Sequence, residues 1–458
     1  MQKSPHQLTS EVMSIGVRIT SADQQYLFSA FPELRFSPLK SPYLPTITVD
    51  SSQQYQQIEG FGFALTGGSA LLISRLPDLE RQALLQELFL PDGNGIGISF
   101  LRLSIGASDL SERSFSYADR PPGETDFELQ HFDLFAGDPE LIPLLQEILA
   151  VNHELKIIAT AWSAPVWMKT HPSFVGGELR PDFYAVYAAY LVKYLLTMRS
   201  LGINIHAITP QNEPQNAKND PSMTMSALAQ ADFIKHHLGP ALTAAKLSEV
   251  EIFCWDHNCD AKEYPLTVFA DVEARRYLAG SAWHLYAGDI AVLSEVHQLY
   301  PEMKLYFTEQ WVGSDGQFAG DLLWHVQHVL LGALANWSQV VLEWNLAADP
   351  WCQPHTPGGE ARCVGALTIG AEIQRNVAYY VIAHAAKFVR PGAVRIASAA
   401  NTCCQQVAFY HPSGLVTFIV LNSSSEAQTY AIEFQGQQAI ASIPACAVAT
   451  YVWQTSAM

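Results

Sequence analysis

Apolar positions along this chain alternate between two spacings. Short β-branched and aromatic runs are separated by longer stretches whose apolar residues recur every three to four positions. The runs 58–66, 98–106, 156–165, 203–213, 250–257, 281–288, 304–311 and 338–346 read as strands. Helical periodicity lies between them. In 79–89 it places apolar residues at 84, 85, 88 and 89, and in 183–198 it places Tyr187, Tyr190, Leu191 and Tyr194 on one face. Asp182, after Pro181, is the expected N-cap of that second helix, and 318–337 reads as a third.

Strands that alternate with helices imply parallel βαβ units, and eight of them predict a (β/α)8 TIM barrel. Gly60-Phe61-Gly62 is too short a match for a dinucleotide-binding fingerprint. The ends of the chain read differently. The runs 406–411, 415–422, 429–434 and 447–453 alternate with period two, separated by turns such as His411-Pro412-Ser413-Gly414. Residues 15–50 also read as β, with 17–20 and 46–49 and several prolines nearby. The predicted fold is therefore α/β, a (β/α)8 barrel over 56–390 with an all-β sandwich. The sandwich would combine an N-terminal segment, 1–55, with a C-terminal one, 391–458.

Composition narrows the function classes. Of 458 residues, 49% are apolar and 15% charged, enough to bury a large core. A formal net charge of −18 argues against nucleic acid as a partner. No apolar run reaches membrane-spanning length, so stable membrane insertion is not expected. The first eleven residues, Met1 to Glu11, lack the apolar core of a signal peptide, which makes a cytoplasmic location the default expectation. Seven cysteines without a C-x-x-C pair read as free thiols, the adjacent Cys403 and Cys404 included. Among 15 His there is no H-E-x-x-H and no H-x-H at a strand end, so no metal or other cofactor is expected. His236-His237, before Gly239, reads as a helix end.

Catalytic groups of such barrels project from the C-terminal strand ends. Those ends carry Arg102 and Asp109, then Trp162 and Trp167, Asn212-Glu213, Trp255-Asp256-His257, Trp283-His284 with Tyr286, Glu309 with Trp311, and Glu343-Trp344-Asn345. Glu213 and Glu309 stand out. Cleavage of a glycosidic bond needs one carboxyl to protonate the leaving oxygen and another to meet the positive charge at the sugar carbon. Aromatic platforms and amides beside them suit the apolar faces and hydroxyls of a sugar.

Several motifs occur in a recognisable order: Phe61-Gly62, Arg102 through Asp109, Ala161-Trp162-Ser163-Ala164-Pro165, Gln211-Asn212-Glu213-Pro214, His284-Leu285-Tyr286, Thr308-Glu309 and Glu343-Trp344-Asn345-Leu346. From about residue 45 to the C-terminus the chain resembles glycoside hydrolase family 30, and most of all its glucosylceramidase branch. The resemblance implies a retaining hydrolase of β-glucosides, with Glu213 as acid/base and Glu309 as nucleophile. It implies that Arg102 keeps the nucleophile ionised, that Asp109, Trp162 and Trp344 contact the sugar, and that Asn212 meets its 2-hydroxyl. His284 and Tyr286 match positions beside the carboxylates.

Trp311 departs from the lysosomal pattern, which has a small Cys there, and Gly67-Gly68-Ser69 stands where that enzyme has an Asp. The expected substrate is thus a β-glucoside, either a glycolipid or a glucan. A β-1,6-glucanase of the same family is the alternative, and a β-xylosidase is a third. A non-catalytic carbohydrate-binding barrel is disfavoured by the presence of both carboxylates, Arg102 and Asn212.

Overall fold

The computed structural model describes residues 13–38, 41, 43–400 and 404–455. The chain folds as two units, Gln56–Pro391 and the combined segments Met1–Tyr55 and Gly392–Met458.

The larger unit is a closed barrel of eight parallel strands. They are β1 (Gly60–Ala64), β2 (Phe100–Ser104), β3 (Lys156–Thr160), β4 (Ala207–Thr209), β5 (Glu251–Cys259), β6 (Leu278–Gly288), β7 (Lys304–Glu309) and β8 (Val340–Asn345). Each pairs with its successor, and β8 closes on β1 through Val341↔Phe61 and Leu342↔Gly62. Six of the expected runs are longer than their strands, most of them because their C-terminal ends form loops of the site, whereas β5 and β6 extend past the runs expected for them. The extreme case is β4, which stops at Thr209, four residues before Glu213.

Phe100, Ile158, Ala207, Phe253, Ala282, Tyr306, Val340 and Leu342 fill the interior. Phe253 stacks on Tyr306 at 4.0 Å between ring centroids. Gly62 allows strand closure, since a Cβ there would lie 1.9 Å from the Phe100 carbonyl oxygen. At the N-terminal end of the barrel, Glu59 accepts from Lys156 and from Lys304, each at 2.7 Å.

The outer helices fall where periodicity placed them, with local differences. The helix Tyr184–Ser200 follows a 3-10 turn, Pro181–Phe183. Asp182 does not cap it; its carboxylate pairs with Arg180 instead. The run 318–337 is α-helical at Phe318–Trp324 and Gly332–Ala335, with a π-helical turn at His325–Leu331 between. His236-His237 likewise lie in a π-turn, and the helix continues through Ala244 rather than ending before Gly239. Among the described residues no helix is long and apolar enough to cross a membrane.

The smaller unit is a β-sandwich of nine strands in one continuous hydrogen-bonded order. Ser14–Ser21 and Ala447–Gln454 pair antiparallel, whereas Thr46–Gln57 joins Gln428–Phe434 in parallel. Both faces share one core, with Ile19, Phe36, Val49, Phe418, Tyr451 and Trp453 among its members. The strands Val394–Ala400 and Gln437–Ile443 carry no sequence signal clear enough to be expected, and Ser29–Arg35 falls within the stretch read as β without a run of its own. The segment read for a leader and Cys403 lie outside the described residues; Cys254, Cys259, Cys352, Cys363 and Cys446 are free thiols.

Candidate active site

The C-terminal strand ends bring Glu213 and Glu309 together. Oxygens of both, and a ring nitrogen of His284, lie within 4.8 Å of one another. Glu309 is the last residue of β7. Glu213 lies in the loop after β4, held at φ 45° by its N–H donating to the Asp256 carbonyl at 3.0 Å. A left-handed glutamate is uncommon and costs backbone energy, which the surrounding bonds must offset.

Asp256 is the centre of this network. It sits in a bulge of β5, with Trp255 at φ 74° and Asp256 at φ 59°, which turns its side chain into the barrel. Its carboxylate is fully buried and accepts from Arg102 (2.8 Å), Thr209 (2.7 Å), Thr308 (2.7 Å), Thr160 (3.0 Å) and His284 Nε2 (3.2 Å). Burial opposes its charge, but Arg102 and His284 outweigh that and hold its pKa far below the ordinary carboxylate range.

Arg102 joins the parts. Nη1 donates to Glu309 at 2.5 Å, and Nη2 donates to Asn212 Oδ1 at 2.7 Å and to Asp256. Accepting through its oxygen leaves the Asn212 NH2 group to donate elsewhere. The guanidinium also lies over Trp162 and Trp344, at 4.8 and 5.3 Å, and those rings stack on each other at 5.2 Å. Tyr286 donates its hydroxyl to Glu309 at 2.9 Å. On the other carboxylate, Glu213 accepts from Asn216 at 2.8 Å and meets His284 Nδ1 at 3.2 Å.

These contacts decide where protons sit. Burial disfavours a charged His284, but Glu309, Asp256 and Glu213 outweigh it and raise the ring to about 9. Burial likewise acts to raise Glu213, but His284 and His257 bring it down to about 2. Glu309 is raised by burial and by the charge of Glu213, against the pull of His284 and Arg102. The directions favour a shared proton on His284, hydrogen-bonded to Glu213. A simple high-Glu213, low-Glu309 pair is not what the geometry produces. Asp109 is pushed up to about 7 by burial and by the charges of Glu309 and Glu213.

A cavity of about 560 Å³ opens over the carboxylates. Among the expected residues, Asp109, Glu213, Tyr286, Glu309, Trp311 and Trp344 line it. Arg102 and His284 do not line it: both are fully buried and meet the carboxylates from below. Trp162 and Asn212 lie just below the surface, 2% and 4% exposed. Trp311 packs beside Trp162 and Trp344, with Arg362 over its ring at 5.3 Å.

Sequence reasoning left out Asp256 and His257 as site residues, although the Trp-Asp-His run on β5 was visible. It also left out the wall from Gln215 to Asn219, Asn258 and Glu360, which line the same cavity. Among the described residues, two donor groups have spacing that a metal could use: Glu213 with His284 and Glu309, and Glu59 with His206 and Glu251. In both, cations of the chain already meet the carboxylates, Arg102 in the first and Lys156 and Lys304 in the second.

Comparison with known proteins places this geometry. The glycosyl hydrolase family 30 TIM-barrel domain matches residues 58–389, and the family's beta sandwich domain matches 392–451. An endo-1,6-β-D-glucanase of Aspergillus fumigatus is 32% identical over 437 residues, 89% of this chain and 87% of that protein. The lysosomal acid glucosylceramidase of Mus musculus is 28% identical over 441 residues, 89% of this chain and 83% of that one. Among solved structures, the endo-β1,6-glucanase BT3312 superposes with a TM-score of 0.89 at 34% identity, covering 97% of this chain and all of that one. The chain belongs to glycoside hydrolase family 30 and is an O-glycoside hydrolase.

Proposed function

We propose that this enzyme cleaves β-1,6-linked glucan with retention of configuration. Glu309 would attack the anomeric carbon and Glu213 would protonate the leaving oxygen. The carboxylate oxygens, within 4.8 Å, suit direct attack: retaining pairs stand about 5–5.5 Å apart, inverting pairs about 6.5–9.5 Å. As the sugar enters and water leaves, the proton on His284 passes along its 3.2 Å contact to Glu213. Glu213 then delivers it to the leaving group. Esterification of Glu309 removes one negative charge, and Glu213 can accept a proton from the incoming water.

The observation that carries the choice of substrate is the wall opposite the glucose site. Gln215, Asn216, Lys218 and Asn219, with Asn258 in the same cavity lining, give it amide and ammonium groups. Such a wall suits a hydroxyl-rich acceptor. The endo-1,6-β-glucanase relatives support the same reading. Asp109 beside Trp344 and Glu309 favours a glucoside over a xyloside, since a carboxylate there can meet hydroxyls at the far end of the ring. Glucosylceramide is the second reading, supported by the glucosylceramidases of mouse and Caenorhabditis elegans among the relatives.

The test is one panel: aryl β-glucoside, aryl β-xyloside, β-1,6-gluco-oligosaccharides and glucosylceramide, with products followed by NMR. Rapid cleavage of the oligosaccharides with a β-configured first product is expected. Preference for glucosylceramide would overturn the choice of substrate, and an α-configured first product would overturn the mechanism.

A further inference from the structure

The loop after β3 and the loop after β4 form two plies. Ser222 N–H donates to the Phe174 carbonyl and Thr224 N–H to that of Gly177, both at 2.8 Å. Gly176 N–H donates to Ser222 Oγ at 2.9 Å. Between the plies lies Lys169, 4% exposed. Its ammonium donates to Ser163 Oγ, Ser173 O and Ser222 O at 2.8 Å each, and to Phe174 O at 3.2 Å.

None of these partners is a carboxylate. Asp220 adds only its field, and its own carboxylate takes the Ser114 hydroxyl at 2.6 Å. Burying an ammonium against neutral oxygens costs free energy unless several of them converge on it. Convergence is what the two loops supply, so the positions of the loops and of the charge are mutually fixed. The second loop contains the polar wall: Ser222 stands three residues beyond Asn219. Between Ser222 and the wall, Asp220 has anchors of its own, since its carbonyl also accepts from Thr356 at 2.5 Å.

We propose that Lys169 is a positioning residue for the leaving-group side: it sets the wall from Gln215 to Asn219 and so governs aglycone recognition, without touching substrate. This rests on the assignment of that wall to the acceptor. Lys169→Met removes the shared donor, while the anchors at Asp220 keep the loop on the barrel. The wall then shifts relative to Glu213.

Kinetics on two substrates test this. A displacement of about 1 Å at a positioning group costs on the order of 10–100-fold. Lys169→Met should therefore lower kcat/KM for β-1,6-gluco-oligosaccharides by on the order of 10-fold or more, chiefly through KM. Hydrolysis of 2,4-dinitrophenyl β-glucoside, whose leaving group needs neither wall nor proton, should stay within about 2-fold. Equal losses on both substrates, or none on either, overturn the proposal. If Lys169→Met does not fold, Ser163→Ala decides: it removes one acceptor and should change the same ratio in the same direction, and an unchanged ratio overturns the proposal. Glucosylceramide is run beside the oligosaccharide. If the wild type cleaves only the lipid, the glucan reading fails, and Lys169 is judged by the ratio of lipid to dinitrophenyl glucoside.

Discussion

Arg102→Lys isolates what the buried guanidinium does for Glu309. The native side chain reaches Glu309 through Nη1 at 2.5 Å and, through Nη2, Asn212 at 2.7 Å and Asp256 at 2.8 Å. A lysine keeps the charge but loses the planar fork, so one ammonium cannot serve both carboxylates in their present positions. Asp256 has three threonine hydroxyls and His284 to retain it, so Glu309 is the more exposed to loss. A charge-assisted hydrogen bond contributes about 1.5–3 kcal/mol. At about 1.4 kcal/mol per pKa unit, losing it raises Glu309 by roughly 1–2 units. Glu309 attacks only when ionised, so the acid limb of kcat/KM should move to higher pH by that amount. Urea denaturation should show a stability loss of about 1.5–3 kcal/mol, because the group is fully buried. The assay is the pH dependence of kcat/KM, which reports the free enzyme, on 2,4-dinitrophenyl β-glucoside, which makes no demand on the acid. A lower rate with an unmoved acid limb would refute the argument, and would assign Arg102 to holding Asn212 and the tryptophans alone.

Other expectations follow from the same contacts. Glu213→Gln should slow substrates with poor leaving groups by on the order of 10²–10⁴-fold and largely spare the dinitrophenyl glucoside; equal losses on both would remove Glu213 from the acid role. His284→Gln takes away the group that holds the shared proton up to about 9, so the alkaline limb for a poor leaving group should move to lower pH, by roughly 1 unit or more. A limb that stays in place would take His284 out of the proton path. Glu59→Gln should destabilise by about 2 kcal/mol at neutral pH, less than the roughly 3–5 kcal/mol for breaking a fully buried pair. Burial acts to raise Glu59, but His206, Lys156 and Lys304 outweigh it and hold it well below 4.5, its ordinary value. That stabilisation is complete above 4.5 and is lost as pH falls below it, so the deficit of the variant should shrink in acid. A deficit that grows on acidification would contradict this.

The barrel was legible because its signal is repetitive. Eight β-rich runs with helical periodicity between them leave few alternatives, and strand-end position then narrows the candidate carboxylates. Glu213 and Glu309 were chosen on that basis, and the structure brings them together. Their protonation was not, because it depends on Asp256, whose carboxylate enters the barrel through a bulge. Period-two alternation gives no warning of an inserted residue, so the side-chain direction at Asp256 could not be read. Asp182 failed as a cap for a comparable local reason: the acidic side chain found a nearer cation in Arg180, and a 3-10 turn replaced the first helical turn. In the sandwich, the bounds of Ser29–Arg35 could not be read within the stretch expected to be β, because its residues are mostly half-exposed or exposed and no apolar face marks it.

The same contrast separates the two sides of the active site. Sugar-facing groups such as Trp344 and Glu309 sit at or beside strand ends, where barrel closure fixes them within the register of their neighbours. The acceptor wall sits on a loop, and a loop has no register to pass on. Its shape comes from hydrogen bonds between loops, backbone ones such as Ser222 N–H to the Phe174 carbonyl and the four of the Lys169 ammonium, three within its own loop and one to Ser222 of the next. A change in loop length or in those acceptors can therefore remodel the leaving-group site while the carboxylates, Arg102 and Asp256 stay fixed by the strands. Enzymes sharing this barrel can then keep one glycosidic chemistry and differ in what lies beyond the sugar, as the glucanase and glucosylceramidase names among the relatives illustrate.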